Sequence, residues 1–430
     1  MRIAIVDPYF AVGLGYQTTG WYNAFVAQGH QVRAFCSCVP AFSSARHLCQ
    51  ERFSPGLTHE RGGEVLRLGS VILPRDMAIC KGLRDQVIEF QPHITLVVYP
   101  GTLFARELVH GREQIPGVMF TTFGENTAQR RAAVPSLRFT LKRAAIDVAF
   151  YLLKRRYYRR AIEVSDLALM HTPDTIDFLL PRIAAGRALG RLKSKCVLWP
   201  LGFDALELRA DAAVRAAERA RLGLSPDNIV IMYSGRIEAV KRFDVWVSMV
   251  ASAMRRLPKL RAMLIGFRKG ETESEKLLGY ISATGMQDRF LGLPFAGREE
   301  LFRLYNAADI GLWHLQPSVG IQECMGTGMY MTLADSRTMS HLLIEPVTGR
   351  YFADQNFEQA ADVVAKVAEE FSNGSESASW QAREHRALLT AQHISYQAMA
   401  ARLIRAAQEP AKAREHLCFD GIRQLPDTAD

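Results

Sequence analysis

The feature that most constrains this chain is a long alternation of short apolar runs with segments of helical pattern. The apolar runs cover residues 2–7, 31–35, 94–98, 117–121, 168–171, 196–199, 229–234 and 309–313, with Leu264-Ile265-Gly266 as a further strand end. Strands separated by helix-length segments pair in parallel and need helices on both faces of the sheet. An α/β fold of doubly wound parallel sheets is therefore expected. No internal repeat with a period of 20–50 residues replaces this pattern by a solenoid. At 430 residues the chain has the length of about two domains. Its 48% apolar content can fill two cores, and 23% charged residues is ordinary for a globular protein.

Two segments in the second half carry chemistry. The run Ile229-Val230-Ile231-Met232-Tyr233-Ser234 leads into Gly235-Arg236, and Lys241 follows before a helical segment. Two cations then stand at a strand C-terminus, the edge of an open α/β sheet where ligands bind. Two lone cations also fit a solvated basic loop. Further on, Pro317 and Ser318 are helix start signals and Gly328 is a stop. A helix opened by Ser318, Val319, Gly320 and Ile321 presents backbone N–H groups and the positive end of its dipole, which suit a diphosphate. Glu323 lies about one turn further in, where a carboxylate can accept hydrogen bonds from two ribose hydroxyls.

In this order the segments resemble the retaining glycosyltransferases of the GT-B fold, specifically glycosyltransferase family 4, from about Met1 to about Ala407. The resemblance implies two Rossmann-like domains facing across a cleft, with Arg236 and Lys241 gripping the diphosphate of a nucleotide-sugar. It implies that Gly235 and Gly266, the latter ending the strand Leu264-Ile265-Gly266, belong to the donor site, and that Phe290-Leu291-Gly292-Leu293-Pro294 is a nucleobase-facing loop, with Phe290 and Leu293 as contacts. The segment 298–305 with 309–313 resembles the family's "eel…Y…aaD" stretch. Near the N-terminus, Val12-Gly13-Leu14-Gly15-Tyr16-Gln17 resembles the family's first loop, so Gly13 and Gly15 join the implied donor site. The spacing is not a dinucleotide fingerprint, because position 18 is Thr. Two departures stand out. The first of the family's two glutamates, separated from the second by seven residues, is replaced by Leu315. The expected histidine turn reads Thr121-Thr122-Phe123-Gly124-Glu125-Asn126, which leaves Glu125 as a cleft-facing candidate or an exposed turn residue.

The "PLG-hydrophobic-D" segment Pro200-Leu201-Gly202-Phe203-Asp204 marks the crossing between domains. The expected division is 1–200 on the acceptor side and 201–390 on the donor side. A helix over 391–407 would pack back on the first domain, and 409–430 would form a frayed tail.

A net charge of +9 is concentrated between Arg130 and Arg160, with ten Lys or Arg and one acid, Asp147. Phe139, Ile146, Phe150, Leu153, Tyr157 and Val164 recur there at helical spacing. Cations beside such a stripe suit an anionic membrane surface, and equally a domain helix with a solvated outer face. No nucleic-acid module accompanies the patch, so no nucleic-acid partner is expected. Seven scattered cysteines, with Cys36-Ser37-Cys38 lacking a second pair, predict no zinc site and a reducing cytoplasm. Met1-Arg2 runs straight into a strand, which predicts no signal peptide, and no apolar run reaches the ~18–20 residues that span a bilayer. His171 and His314 have no metal-ligand spacing and read as structural. No metal or other cofactor is expected, since two cations and a helix N-terminus can offset a leaving diphosphate. The sequence thus predicts transfer of a sugar from a nucleotide-diphospho-sugar to a glycan or lipid-linked acceptor. A non-catalytic sugar-nucleotide-binding or scaffold protein remains the alternative, kept open by Leu315 and the missing histidine.

Overall fold

The structure is a computed structural model, which describes residues 1–12, 17–39, 41, 53–73, 76–124, 148, 154–315 and 317–418. Two sheets divide it. The first contains β1 (Arg2–Val6), β2 (Gln31–Ser37), β3 (Gly56–Glu60), β4 (Gly63–Leu68), β7 (Ile94–Val97), β8 (Val118–Phe123), β9 (Leu167–Met170) and β10 (Cys196–Leu198). A separate antiparallel ribbon pairs β5 (Ser70–Leu73) with β6 (Met77–Cys80). The first sheet runs β10-β9-β8-β7-β1-β2-β4-β3, and only the exposed edge strand β3 pairs antiparallel. The second sheet contains β11 (Ile229–Ser234), β12 (Leu260–Phe267), β13 (Phe290–Pro294), β14 (Ile310–Trp313), β15 (Tyr330–Asp335) and β16 (Gly349–Ala353). Its order is β13-β12-β11-β14-β15-β16, all parallel.

Burial explains why these runs are strands. Ile3, Ala4, Ile5 and Val6 are all fully buried, as are Val230, Ile231 and Met232. A strand covered on both faces needs an unbroken apolar run, which is what a parallel sheet between two helix layers demands. Both sheets are wound in two directions from a first strand. In the second, the chain steps from β11 to β12 and β13, then returns to β14 on the other side of β11. That reversal opens a crevice at the C-terminal ends of β11 and β14, the place where such folds bind ligands. The segments at residues 235–242 and 314–315 leave from those two strand ends.

The domains are joined by two chain crossings. Phe203 donates its N–H to the Ile394 carbonyl at 3.3 Å, and Tyr396 donates back to the Phe203 carbonyl at 2.9 Å. The Tyr396 ring lies against Gly20 and Gly202, and a Cβ at Gly202 would stand 2.7 Å from it. The helix Tyr396–Gln408 then lies along the helix Gln17–Ala27, with Gln28 Nε2 donating to the Gln397 carbonyl at 2.8 Å.

Two expectations need correction, and one alternative left open is decided for its described part. Phe290–Pro294 is not a loop but the edge strand β13, because its backbone pairs with β12 from Ala262 to Phe267. The stretch from Glu409 is not frayed as far as Cys418. It continues into the helix Ala413–Leu417, where Leu417 is fully buried and Arg414 donates to the Ser194 and Cys196 carbonyls at 2.8 and 2.9 Å. In the basic stretch, where the sequence admits both a membrane-facing and a core-facing stripe, Tyr157 faces the core. The helix Arg155–Val164 buries Tyr157, Tyr158, Ala161 and Ile162 in the first domain, leaving Arg156 and Arg160 exposed. The remainder of the stripe, Phe139, Ile146, Phe150 and Leu153, lies outside the described residues.

Candidate functional site

The loop after β11 is shaped by two glycines. Gly235 has φ +145° and Gly266 has φ +122°, values that strain any residue with a Cβ. A Cβ on Gly266 would collide with the Gly235 carbonyl oxygen, so the end of β12 can touch the chain leaving β11 only because Gly266 has none. Lys241 folds back across this loop. Its Nζ donates to the Arg236 carbonyl at 2.9 Å and stands 5.7 Å from the centre of the Tyr233 ring. Burial pushes the Lys241 pKa down, Arg236 adds to that, and Glu238 opposes it. An arriving anion would offset both depressing causes by its attraction for the ammonium. Arg236 is half-exposed, with Glu238 at 3.9 Å as an ionic neighbour, so its guanidinium can reach a ligand.

The second element is the eight-residue helix Val319–Gly326. Ser318 is its N-cap, and its Oγ accepts from the Gly320 N–H at 3.2 Å. The Gly320 amide is therefore already engaged. A serine oxygen that accepts from Gly320 still has its own proton to donate, so Ser318 O–H is itself a donor for a phosphate oxygen. Ile321 is fully buried and anchors the helix, and its N–H closes the first turn on the Ser318 carbonyl at 3.0 Å. Val319 is half-exposed at the helix start.

Glu323 lies on the next turn. Its Oε2 accepts from the Tyr305 hydroxyl at 3.2 Å, and that hydroxyl also meets Ser234 Oγ at 3.1 Å. Burial raises the Glu323 pKa, while Arg298 and the Tyr305 bond oppose the shift and Glu207 adds to it. Arg298 is itself paired with Glu207 at 2.6 Å, which ties the site to the segment after the crossing. A Cβ on Gly320 would stand 3.6 Å from both the Ser234 carbonyl and the Tyr305 hydroxyl. The last residue of β11, the helix Arg298–Ala307 and the helix Val319–Gly326 thus meet around one hydroxyl group.

Of the expected site residues, Gly235, Arg236, Lys241, Gly266, Ser318, Val319, Gly320, Ile321 and Glu323 occupy the two elements at this crevice. Phe290 does not belong to it. It pairs with Ala262 near the start of β12 and is buried, so it stands at the opposite end of the strand from the crevice. Leu293, paired with Ile265, lies near the correct end. Gly13, Gly15 and Glu125 lie outside the described residues. Sequence reasoning missed Tyr305, Ser234 and Arg298. Tyr305 was visible within the segment 298–305, but no local signal singles out its hydroxyl.

On the facing edge of the first sheet, Asp7 follows β1 and is buried. Its carboxylate accepts from the Tyr9 N–H at 2.9 Å and from Thr18 Oγ1 at 2.6 Å, and burial pushes its pKa up to about 6. His171 follows β9, with Nδ1 against the Trp199 carbonyl at 3.0 Å and a pKa lowered by burial to about 4. His314 is similarly buried, with Nε2 at 3.2 Å from the Arg242 carbonyl and a pKa also lowered to about 4. Among the described residues no group of three His, Cys, Asp or Glu could hold a metal ion, and no helix is long and apolar enough to cross a membrane.

No known protein-family model matches the chain. Among curated relatives, the D-inositol 3-phosphate glycosyltransferase of Mycobacterium sp. (strain KMS) is 35% identical over 98 residues, covering 22% of this chain and 21% of the relative. The protein of that name from Nocardia farcinica (strain IFM 10152) is 31% identical over 142 residues, covering 31% of this chain and 32% of the relative. The match to these relatives spans about a fifth to a third of their length. Likeness to solved structures is far more extensive. The sucrose-phosphate synthase of Thermosynechococcus elongatus superposes with a TM-score of 0.64 at 16% identity, over 96% of this chain and 99% of that one. Anabaena HepE in complex with UDP-glucose gives 0.60 at 13% identity, over 94% of this chain and 100% of that one. With the two wound sheets, this likeness establishes the fold as GT-B.

Proposed function

We propose that the chain is a retaining glycosyltransferase of the family 4 type, which moves a sugar from a nucleotide-diphospho-sugar to a glycan or lipid-linked acceptor in cell-envelope polysaccharide or glycolipid synthesis. The observation that carries this reading is the convergence of the Gly235–Lys241 loop and the Ser318–Glu323 helix start at the switch point of the second sheet. The names of the relatives and the UDP-glucose bound to HepE support the donor class. Arg236 and Lys241 face charge that grows on the diphosphate as the glycosidic bond breaks, and Ser318 with its helix start offers further donors. Such preorganised donors strengthen transition-state binding more than ground-state binding. Glu323 holds the ribose. On this reading the leaving diphosphate accepts the acceptor's proton on the same face, so neither a strong protein base nor a metal is required. Glu125 is proposed on the acceptor side of the cleft.

A thermal-shift panel of UDP-, GDP- and ADP-sugars tests the donor class. A ligand at 100 times its dissociation constant stabilises by about 2.7 kcal/mol, which melting resolves. No shift with any donor would end the reading. A shift without transfer or slow donor hydrolysis would favour the scaffold alternative, which Leu315 in place of the family's first glutamate keeps in view.

A cytoplasmic site of action, peripheral on an anionic membrane, is proposed from the basic stretch 130–160. Of its described cations, Arg156 and Arg160 are exposed, while Lys154 donates to the Gly101 carbonyl and Arg159 pairs with Glu163. Each cation near such a surface contributes roughly 1 kcal/mol. Replacing Lys154, Arg155, Arg156, Arg159 and Arg160 with Gln should abolish co-sedimentation with anionic vesicles, and wild-type protein that ignores them at low salt would remove this part.

A further inference from the structure

We propose that Tyr305 is a positioning residue of the donor site, whose hydroxyl fixes both the Glu323 carboxylate and the strand end that launches the Gly235–Lys241 loop. The inference rests on the reading of Glu323 as a ribose ligand and adds what holds that ligand in place. Tyr305 lies in the third turn of the helix Arg298–Ala307, with its side chain 1% exposed. A buried tyrosine usually finds one polar partner for its oxygen. This one finds two, and they belong to the two separate elements of the site.

Proton counting gives the contacts a direction. Ionised Glu323 can only accept, so the single phenolic proton of Tyr305 is committed to Oε2. The bond between Ser234 and Tyr305 must then be donated by Ser234. The result is a chain from Ser234 O–H to Tyr305 O–H to the Glu323 carboxylate, in which each bond polarises the next. Gly320 closes the arrangement, since its Cα hydrogen faces both the Ser234 carbonyl and the Tyr305 oxygen. A donor whose diphosphate lies at the Ser318 helix start and whose ribose lies on Glu323 would bridge two elements already held in register by this hydroxyl.

The simpler role, a tyrosine that merely satisfies its own buried oxygen, makes a different prediction. A structural tyrosine lowers the melting temperature and leaves the chemistry of Glu323 alone. A positioning tyrosine is coupled to Glu323 and to its titration. The groups that face Glu323 from the surrounding elements are Arg298, Glu207, Cys324 and Tyr396. None of them is altered by Tyr305→Phe, and the ring that fills the core is kept.

The test is a double-mutant cycle on the binding of UDP, GDP or ADP by calorimetry, using the full chain with Tyr305→Phe, Glu323→Gln and both together. Tyr305→Phe alone should weaken binding by about five- to tenfold, within the range for the net worth of one hydrogen bond. In the Glu323→Gln background the same change should cost less than about twofold, because contacting residues are non-additive. Since the Tyr305 bond favours the ionised carboxylate, the acid limb of the binding profile should also move to higher pH in Tyr305→Phe. Ser234→Ala should move it the same way by less, and it carries the test should Tyr305→Phe fail to fold. Penalties that simply multiply, or an acid limb that stays in place, would overturn the inference while leaving the donor site intact. Wild-type protein that binds none of the three nucleotides would overturn the donor reading and this inference with it.

Discussion

The C-terminal edges of the two sheets face the same cleft but are built differently. On the second sheet, side chains complete one another: Ser234, Tyr305 and Glu323 form a chain, Lys241 folds onto the Arg236 carbonyl, and Ser318 caps its own helix. On the first sheet no such chain is formed among the described residues: Gln17 Nε2, Thr122 Oγ1 and His171 Nε2 are buried without partners, as Trp313 Nε1 and Thr332 Oγ1 are on the second. The second edge is preorganised by helices and strands, which suits a ligand whose diphosphate and ribose are the same whatever sugar is attached. Burial disfavours charge at Asp7 and His171 on the first edge, as it does at Lys241, Glu323 and His314 on the second. Three predictions put this contrast under strain.

The largest effect is expected where the second edge is anchored. Arg383, on the helix Trp380–Ile394, is 4% exposed and donates to the Tyr305, Ala308 and Thr327 carbonyls at 2.9, 2.6 and 2.9 Å. It therefore ties the ends of the two helices that carry Tyr305 and Glu323. Arg383→Met keeps much of the volume but leaves three buried carbonyls, each costing about 1–3 kcal/mol. A loss of roughly 3–5 kcal/mol in urea unfolding is expected, with nucleotide binding lost as well. A variant within about 1 kcal/mol of wild type would show that the edge does not depend on this anchor.

Next comes the chemistry of that edge. Arg236→Ala and Lys241→Ala should each lower the turnover number by about 10²–10³, or about 2.7–4 kcal/mol, with a smaller change in donor affinity. The reason is that charge on the leaving diphosphate grows towards the transition state. Unchanged turnover in both folded variants would remove them from the site.

What could be read from the sequence follows the same divide. The apolar runs, the Ser318 cap and the Gly235 and Gly266 turns are local signals, and the structure forms each where it was expected. The Ser234–Tyr305 and Tyr305–Glu323 contacts join residues 71 and 18 positions apart, so no local pattern announces them. Arg383 is invisible for a related reason, since an arginine in a helix ordinarily reads as solvated. Phe290–Pro294 misled because Gly292 and Pro294 look like loop residues. Pairing to β12 overrides that preference, as tertiary context does for weak strand formers. The stretch 410–417 misled because one buried leucine in a short helix gives no period to detect.

The smallest effect belongs to the first edge and turns on the sign of a pH dependence. Burial holds the Asp7 pKa at about 6 against an ordinary value of 3.8. The folded state therefore binds this proton more tightly than the unfolded one. The stability Asp7 contributes is complete below about pH 4 and is lost as pH rises through about 6, amounting to at most about 3 kcal/mol. His171, His314 and His341 tilt the other way, because burial holds their pKa values at about 4, 4 and 3, below the usual histidine range. Their contribution is lost as pH falls, so the raw stability curve mixes both signs. The difference between wild type and Asp7→Asn isolates the aspartate. Asn keeps the shape and can still accept from Tyr9, but it does not titrate. Urea unfolding between pH 4 and 6.5 should show the variant gaining on wild type as pH rises, by at most about 3 kcal/mol across the window. A constant difference would mean that Asp7 is ionised throughout the window.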